Sequence, residues 1–420
     1  MTLIPSIFNS PWERHEVSKI CKAIPRESTD AMTSKMDREF QEIAHCGGQI
    51  TIDTQIDERG HRLVSFGIRH SRPTPAAWFC IIADSLGQPV ATMRLGGLAD
   101  PGSGPPPQAY GYTVFIASDS EGVFGHQCPR CRGYWRSRGA PAEWPMTCPY
   151  CALRTGTHNF LTHAQRKYVS SCCQRFEEII HSDFVGESVI DMDAIADAVS
   201  EEKKPEFYYA EQRQQKYFTC TACRGGNDIL GRYGYCSICG THNGLQELEA
   251  DLVAAKARIA AGSYEGALSD MVSAFDSFAR QLAKQLAARI PMRAKRKAAL
   301  KRALFHNLKP RAEELLAAFD IDLFENLKAD DVAFITRMFL RRHVYEHNGG
   351  EVDERYISES GDTTVRPKQR IRETSESTSR AASLIEIIGR KFKTGFDEIF
   401  PPVENPIQHE EWRKKIKAQP

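Results

Sequence analysis

Four C-x2-C pairs constrain this chain more than any other feature: Cys128-Pro129-Arg130-Cys131, Cys148-Pro149-Tyr150-Cys151, Cys220-Thr221-Ala222-Cys223 and Cys236-Ser237-Ile238-Cys239. They account for eight of the 13 cysteines. The first two pairs are separated by 16 residues and the last two by 12. Two such knuckles at this spacing read as a four-cysteine zinc ribbon, because each tight turn brings two sulfurs to one tetrahedral ion at about 2.3 Å. The expected ligands are Cys128, Cys131, Cys148 and Cys151 at one Zn²⁺, and Cys220, Cys223, Cys236 and Cys239 at a second. Gly225 and Gly240 follow the second cluster's knuckles and permit the tight or left-handed conformation such turns favour. Four thiolates leave no position for water, so both zincs are expected to be structural. Reduced, unliganded thiols and a redox C-x-x-C are the competing readings, and knuckles could also pair across the clusters. Cys21, Cys46, Cys80, Cys172 and Cys173 remain as reduced thiols without an assigned role.

The rest of the chain is ordered around these clusters. Residues 1–45 read as a helical lead segment, with Thr29-Asp30 as a cap and Met32, Met36, Phe40 and Ile43 at helical spacing. Residues 46–120 read as a small antiparallel β-domain of short runs: Gln49–Ile56, Leu63–Ile68, Trp78–Ala83, Val90–Leu95 and Tyr112–Ala117. Between them lie turns at Glu58-Arg59-Gly60 and Ser85-Leu86-Gly87 and a Pro/Gly-rich loop at Asp100–Gln108. Zinc ribbon 1 is expected at 121–158, a helical linker at 159–213, zinc ribbon 2 at 214–245, an all-helical domain at 246–400 and a polar tail at 401–420. The fold class expected is multi-domain α+β.

Charge excludes one class. Lys+Arg 55 against Asp+Glu 54 gives a net charge of +1, so nucleic-acid contact has to come from local patches. The opening Met1-Thr2-Leu3-Ile4-Pro5-Ser6 has no basic stretch leading into an apolar one, and the densest apolar run, Trp78–Ala83, falls far short of the roughly 18 residues of a membrane helix. A cytoplasmic protein without a membrane partner is expected. Around the first cluster, Arg130, Arg132, Tyr134, Trp135, Arg136 and Arg138 interleave cations and aromatics. They suit either a stacked base with phosphates or a small ribbon core with solvated arginines.

The helical region ends one of its long patterns in Phe339-Leu340-Arg341-Arg342-His343-Val344-Tyr345-Glu346-His347-Asn348-Gly349-Gly350, with the glycines as a stop signal. Arg342 and His347 are five apart, about 140° around a helix, so they flank one wide face. Arg342 through His347 resembles the R-x4-H signature of HEPN domains (higher eukaryote and prokaryote nucleotide-binding). The continuation Asn348–Tyr356 resembles HEPN members of bacterial defence and toxin systems. The resemblance spans about Leu245 to Phe400.

The resemblance implies a metal-independent endoribonuclease, working as a regulated toxin or antiviral-defence effector. Arg342, His347 and His343 would be its catalytic residues, and a homodimer through the C-terminal domain would place two motifs across one cleft. RNA is the implied partner, with an antitoxin or sensor protein as a further one. A His titrating near neutrality moves a proton to or from ribose oxygens, and an Arg stabilises the phosphorane charge. Arg341, Tyr345, Asn348, Lys297 and Arg302 are candidate substrate contacts. The last two belong to a basic run from Arg293 to Arg302, and Arg366, Lys368, Arg370 and Arg372 form another. Asp276 is a candidate acidic partner of the site. Three other readings stand beside this one. In these, Arg342 and Glu346 are a helix-stabilising i,i+4 pair, His343 and His347 a metal-binding pair, and the bundle an inactive HEPN module in a zinc-ribbon nucleic-acid adaptor. No P-loop, G-x-S-x-G or H-E-x-x-H motif occurs.

Overall fold

The computed structural model describes residue 43 and residues 47–70, 78–93, 111–119, 121–138, 145–200 and 215–418. The lead-segment cap and stripe up to Phe40, and the Pro/Gly-rich loop, lie outside the described residues. The chain divides into two compact units, residues 1–240 with 403–420, and residues 241–402.

The first unit begins with the expected short strands. They are β1 (Gly48–Ile56), β2 (Arg62–His70), β3 (Trp78–Ala83), β4 (Pro89–Met93) and β5 (Tyr112–Ala117). Next come β6 (Val123–Gln127), β7 (Tyr134–Arg138), β8 (Met146–Thr147) and β9 (Arg154–Thr155), then helix α1 (His163–Ile180), β10 (Gly186–Asp191), α2 (Met192–Val199), β11 (Gln215–Thr219) and β12 (Gly226–Leu230). All ladders are antiparallel. The turns between strands use one device. Asp57, Asp84 and Asp119 each accept two backbone N–H bonds from the turn they open.

Two three-stranded sheets, β10-β1-β2 and β4-β3-β5, share a core with α1. That core takes Ile50 and Ile52 from β1, Phe79 and Ile81 from β3, Val114 and Ile116 from β5, and Tyr168, Val169, Cys172, Cys173 and Phe176 from α1. The helix starts on a reciprocal capping box between Thr162 and Gln165. The stretch that reads as a linker in sequence is thus a structural part of this module. Its α1 fills the core, and β10 pairs with β1 in the register Ile50↔Ile190 and Ile52↔Ser188. Ile190 is the one β10 side chain that is buried, so the strand carries little hydrophobic signal.

The second unit is helical: α3 (Gly244–Ala260), α4 (Tyr264–Arg289), α5 (Ala294–Lys301), α6 (Leu308–Phe319), α7 (Ala329–Asn348), the short α8 (Glu354–Ser360) and α9 (Ser375–Ile399). Its core is aromatic. Phe275 meets Phe339 edge-on at 5.6 Å between centroids, and Phe278 meets Phe392 at 6.0 Å. The chain then returns to the first unit. The segment that reads as a polar tail forms α10 (Glu404–Lys417), which buries only Pro406 and so has no apolar stripe to announce it. Val403 N–H donates to the Cys239 carbonyl at 2.7 Å, and Ile407 packs on the second cysteine cluster. No helix among the described residues is long and apolar enough to cross a membrane.

Candidate functional site

Each four-cysteine group converges. The Sγ atoms of Cys128, Cys131, Cys148 and Cys151 lie within 4.8 Å of one another, and so do those of Cys220, Cys223, Cys236 and Cys239. Cross-knuckle separations are 3.6 Å for Cys128–Cys151, 3.7 Å for Cys131–Cys148, 3.7 Å for Cys220–Cys239 and 3.6 Å for Cys223–Cys236. Four thiolates about 2.3 Å from a central ion stand about 3.8 Å apart along each edge of the tetrahedron. A disulfide would need about 2.05 Å. Both groups therefore have the spacing to hold a metal ion, with the pairing sequential along the chain.

The backbone explains the convergence. After each knuckle one residue turns left-handed: Arg132 (φ 62°), Ala152 (φ 56°), Arg224 (φ 60°) and Gly240 (φ 76°). Its N–H then donates to the carbonyl of the knuckle's first cysteine at 2.8–3.1 Å. Gly240 takes the left-handed conformation itself, while in the third knuckle Arg224 takes it and Gly225 provides the tight fit. Gly225 serves a different need, close approach: a Cβ there would sit 2.7 Å from Ile238 Cγ1 and 3.3 Å from Cys223 Sγ.

The aromatic residues beside the first cluster face inward. Trp135 is fully buried and meets Phe160 edge-on at 5.2 Å, Tyr134 is buried, and Arg136 is buried in an ion pair with Asp119. Of that group Arg130, Arg132 and Arg138 are exposed. The packing reading holds for Tyr134 and Trp135, which have no face left for a base. Cys80, Cys172 and Cys173 are buried thiols, and Cys21 and Cys46 lie outside the described residues.

The second candidate site is the C-terminal end of α7, which Gly349 closes in the left-handed conformation (φ 60°). Arg341 and Arg342 part company here. Arg341 turns inward, donating from Nε to Tyr356 Oη at 3.1 Å, from one terminal nitrogen to Glu373 at 3.2 Å and from the other to Asp362 at 3.0 Å. Tyr345 donates to the same Glu373 oxygen at 2.8 Å, and its burial followed by that carboxylate raises the phenol's pKa. Asn348 donates to Asp353, the N-cap of α8, at 2.9 Å. Arg341, Tyr345 and Asn348 are thus held by contacts that fold the 349–373 segment against α7.

Arg342 is nearly as shielded, with 20% of its side chain exposed against 16% for Arg341, but its polar contacts are fewer and longer. It lies 3.8 Å from Glu346 and 3.4 Å from Ser273 Oγ on α4. His343 and His347 stack one turn apart, their ring centroids separated by 4.4 Å. Burial, followed by the electrostatic influence of His347, Arg355 and His306, lowers the pKa of His343. Arg342 and the histidine pair occupy adjacent strips of one helix end. No hydrogen bond joins Arg342 to His347 among the described residues.

Ser273, His306 and Arg355 are neighbours that sequence spacing does not reveal, since each comes from another element. Asp276 is not among them: it pairs with Arg280 at 3.6 Å and accepts the Phe305 N–H. Lys297 and Arg302 belong to α5 and its cap, and that helix buries no side chain. Arg370, from the other basic run, donates to the Gly349 carbonyl at 3.2 Å.

No family model and no curated protein matches this sequence, and no solved structure matches this fold.

Proposed function

We propose that this chain is a metal-independent endoribonuclease of HEPN type, a regulated toxin or antiviral-defence effector that acts as a homodimer through its helical unit. The observation that carries this reading is the grouping of Arg342, His343 and His347 on adjacent strips of the α7 end. That end combines a loosely paired guanidinium with two stacked imidazoles. RNA supplies its own nucleophile, so these groups suffice. One histidine takes the proton from the ribose 2′-OH as its oxygen attacks phosphorus, and another donates a proton to the departing 5′ oxygen. His343, whose pKa is lowered, is suited to accept, which leaves the donor's part to His347. Arg342 offsets the charge that builds on the phosphoryl oxygens. Zinc is the ion proposed for the cysteine groups, since four thiolates in a closed tetrahedron favour it and leave no place for a reacting water. The zinc-bearing unit would serve recognition or control, in the cytoplasm.

The test is cleavage of a mixed RNA pool by purified protein, with and without EDTA. Products ending in 2′,3′-cyclic phosphate and 5′-OH, formed equally fast in the first minutes of chelation, support the proposal. A 3′-OH end removes His343 and His347 from these roles. Tight RNA binding without cleavage favours a zinc-ribbon adaptor with an inactive bundle.

A further inference from the structure

The two cysteine groups, about 90 residues apart in sequence, are halves of one body. The first knuckle of each group forms the turn of a hairpin, β6–β7 for one and β11–β12 for the other. The hairpins join edge to edge, giving the order β11-β12-β7-β6, which reads the same from either side. The central pairing sets Gly226 against Arg138, Asn227 against Ser137 and Asp228 against Arg136.

The second knuckles repeat this two-fold relation. Thr147, just before Cys148, donates its N–H to the Ser237 carbonyl at 2.9 Å; Tyr235, just before Cys236, donates to the Pro149 carbonyl at 3.0 Å. Each knuckle thus gives one bond to the other and takes one back.

Side chains cross between the halves as well. The Tyr150 hydroxyl, in the first group's second knuckle, donates to the Tyr134 carbonyl at 2.7 Å and accepts from Leu230 N–H on β12 at 3.0 Å. Asn227, paired with Ser137 across the central ladder, ties that ladder to its own half's second knuckle: it donates to Cys236 Sγ at 3.5 Å, and its carbonyl oxygen accepts from Ser237 N–H at 2.7 Å. One core serves both halves: Cys128, Trp135, Met146 and Cys148 pack with Phe218 and Ile229. The sequence carries a matching echo, Cys-x-x-Cys-Arg-Gly at 128–133 and again at 220–225.

We infer that the two four-cysteine groups form a single cooperative metal-binding unit that fills and empties as a pair. Segments of this size cannot bury a core alone and depend on a staple. Loss of one ion frees four thiols and melts its knuckles. That melting withdraws the exchanged backbone bonds, one half of the central ladder and one side of the shared core from the other site. Because a binding free energy at such a site is also folding free energy, the second ion is then held less tightly.

The experiment is native mass spectrometry of the full chain equilibrated in a series of zinc-buffered solutions. Two independent equal sites would bring the one-ion species to about half of the protein at the midpoint. A hundredfold coupling, within the usual range, holds it near a tenth. The expected result is a two-ion and a zero-ion population with little between them. A one-ion species that dominates any part of the series overturns the pairing and leaves each metal site standing. A chain that takes up no zinc overturns the metal reading itself. Cys131→Ser and Cys223→Ser give an independent check: each is expected to reduce bound zinc from two ions to well under one, and a folded variant that keeps one full ion overturns the proposal.

Discussion

Arg341 and Asp362 lie 3.0 Å apart, and the Asp362 side chain is wholly shielded from solvent. Glu373, equally shielded, binds the same guanidinium at 3.2 Å. Burial alone would raise the Asp362 pKa, but bonds from Thr364, Arg341 and Tyr356 hold it well below the usual carboxylate range. Asp362 stays ionised because Thr364, Arg341 and Tyr356 all donate to it. Arg341→Met strands two buried anions and is expected to cost about 3–5 kcal/mol. Arg342→Met, one residue on, loses only a 3.8 Å pair with the exposed Glu346 and a 3.4 Å contact with Ser273, and is expected to cost under about 1 kcal/mol. Urea unfolding of the two variants checks this contrast, and equal midpoints would contradict it.

His242 offers a pH test. Its Nδ1 accepts the Gly244 N–H at 3.1 Å, which only a neutral ring can do. Burial first, then the charges of Lys393 and Arg289, push its pKa down to about 3. The unfolded chain protonates this histidine near pH 6.5 while the folded chain does not. Its share of stability is therefore complete above about pH 6.5 and is lost as pH falls toward 3, amounting to roughly 2 kcal/mol at pH 5. Comparing unfolding free energies at pH 7.5 and pH 5 in wild type and His242→Phe measures it. A difference that is the same in both proteins would rule this histidine out as a source.

The arginine neighbours show where sequence legibility ends. The helix, its Gly349 stop and the R-x4-H spacing are all readable along the chain. Which arginine faces inward is not, because the deciding carboxylates, Asp362 and Glu373, arrive from a segment without regular periodicity. The cysteine pairing was legible through spacing, and β1 to β5, five of the twelve strands described in the first unit, through β-branched runs between turn residues. The union of the two groups was not. Tyr134–Ser137 and Gly226–Ile229 are buried at every position, so neither strand alternates. The buried Arg136 also disguises its strand as a surface. Pairing between segments this distant leaves no local trace. β10 and α10 leave no hydrophobic pattern for the complementary reason, that each buries a single side chain.

The knuckles make their own prediction. A Cβ on Gly133 would fall 2.4 Å from Tyr150 Cδ2 and 3.3 Å from Cys131 Sγ. Tyr150 cannot retreat without breaking its bonds to Tyr134 and Leu230. Gly133→Ala is expected to destabilise the first unit by about 1–3 kcal/mol and to weaken zinc retention against a competing chelator. Arg224→Gly removes a side chain from a left-handed residue, and is expected to be neutral or stabilising by up to about 1 kcal/mol. Thermal unfolding of both variants in the zinc-loaded form tests the pair, and the opposite ordering would contradict the geometry.

The proposed ribonuclease site makes the last prediction. His347→Ala removes a proton donor and is expected to slow RNA cleavage about 10²–10⁴-fold, and His343→Ala should act similarly through the acceptor. Arg342→Ala removes charge stabilisation and is expected to cost about 10²-fold or more. Glu346 lies 3.8 Å from Arg342 and Ser273 is 3.4 Å away, so a phosphate has to compete with both. Glu346→Gln frees the guanidinium and is expected to preserve or raise cleavage. Unfolding midpoints of the alanine variants should stay within about 1 kcal/mol of wild type, because these side chains lie near the surface. Cleavage assays paired with those midpoints separate chemistry from folding. Variants that lose activity only in proportion to lost folded protein would reduce Arg342, His343 and His347 to a helix terminus.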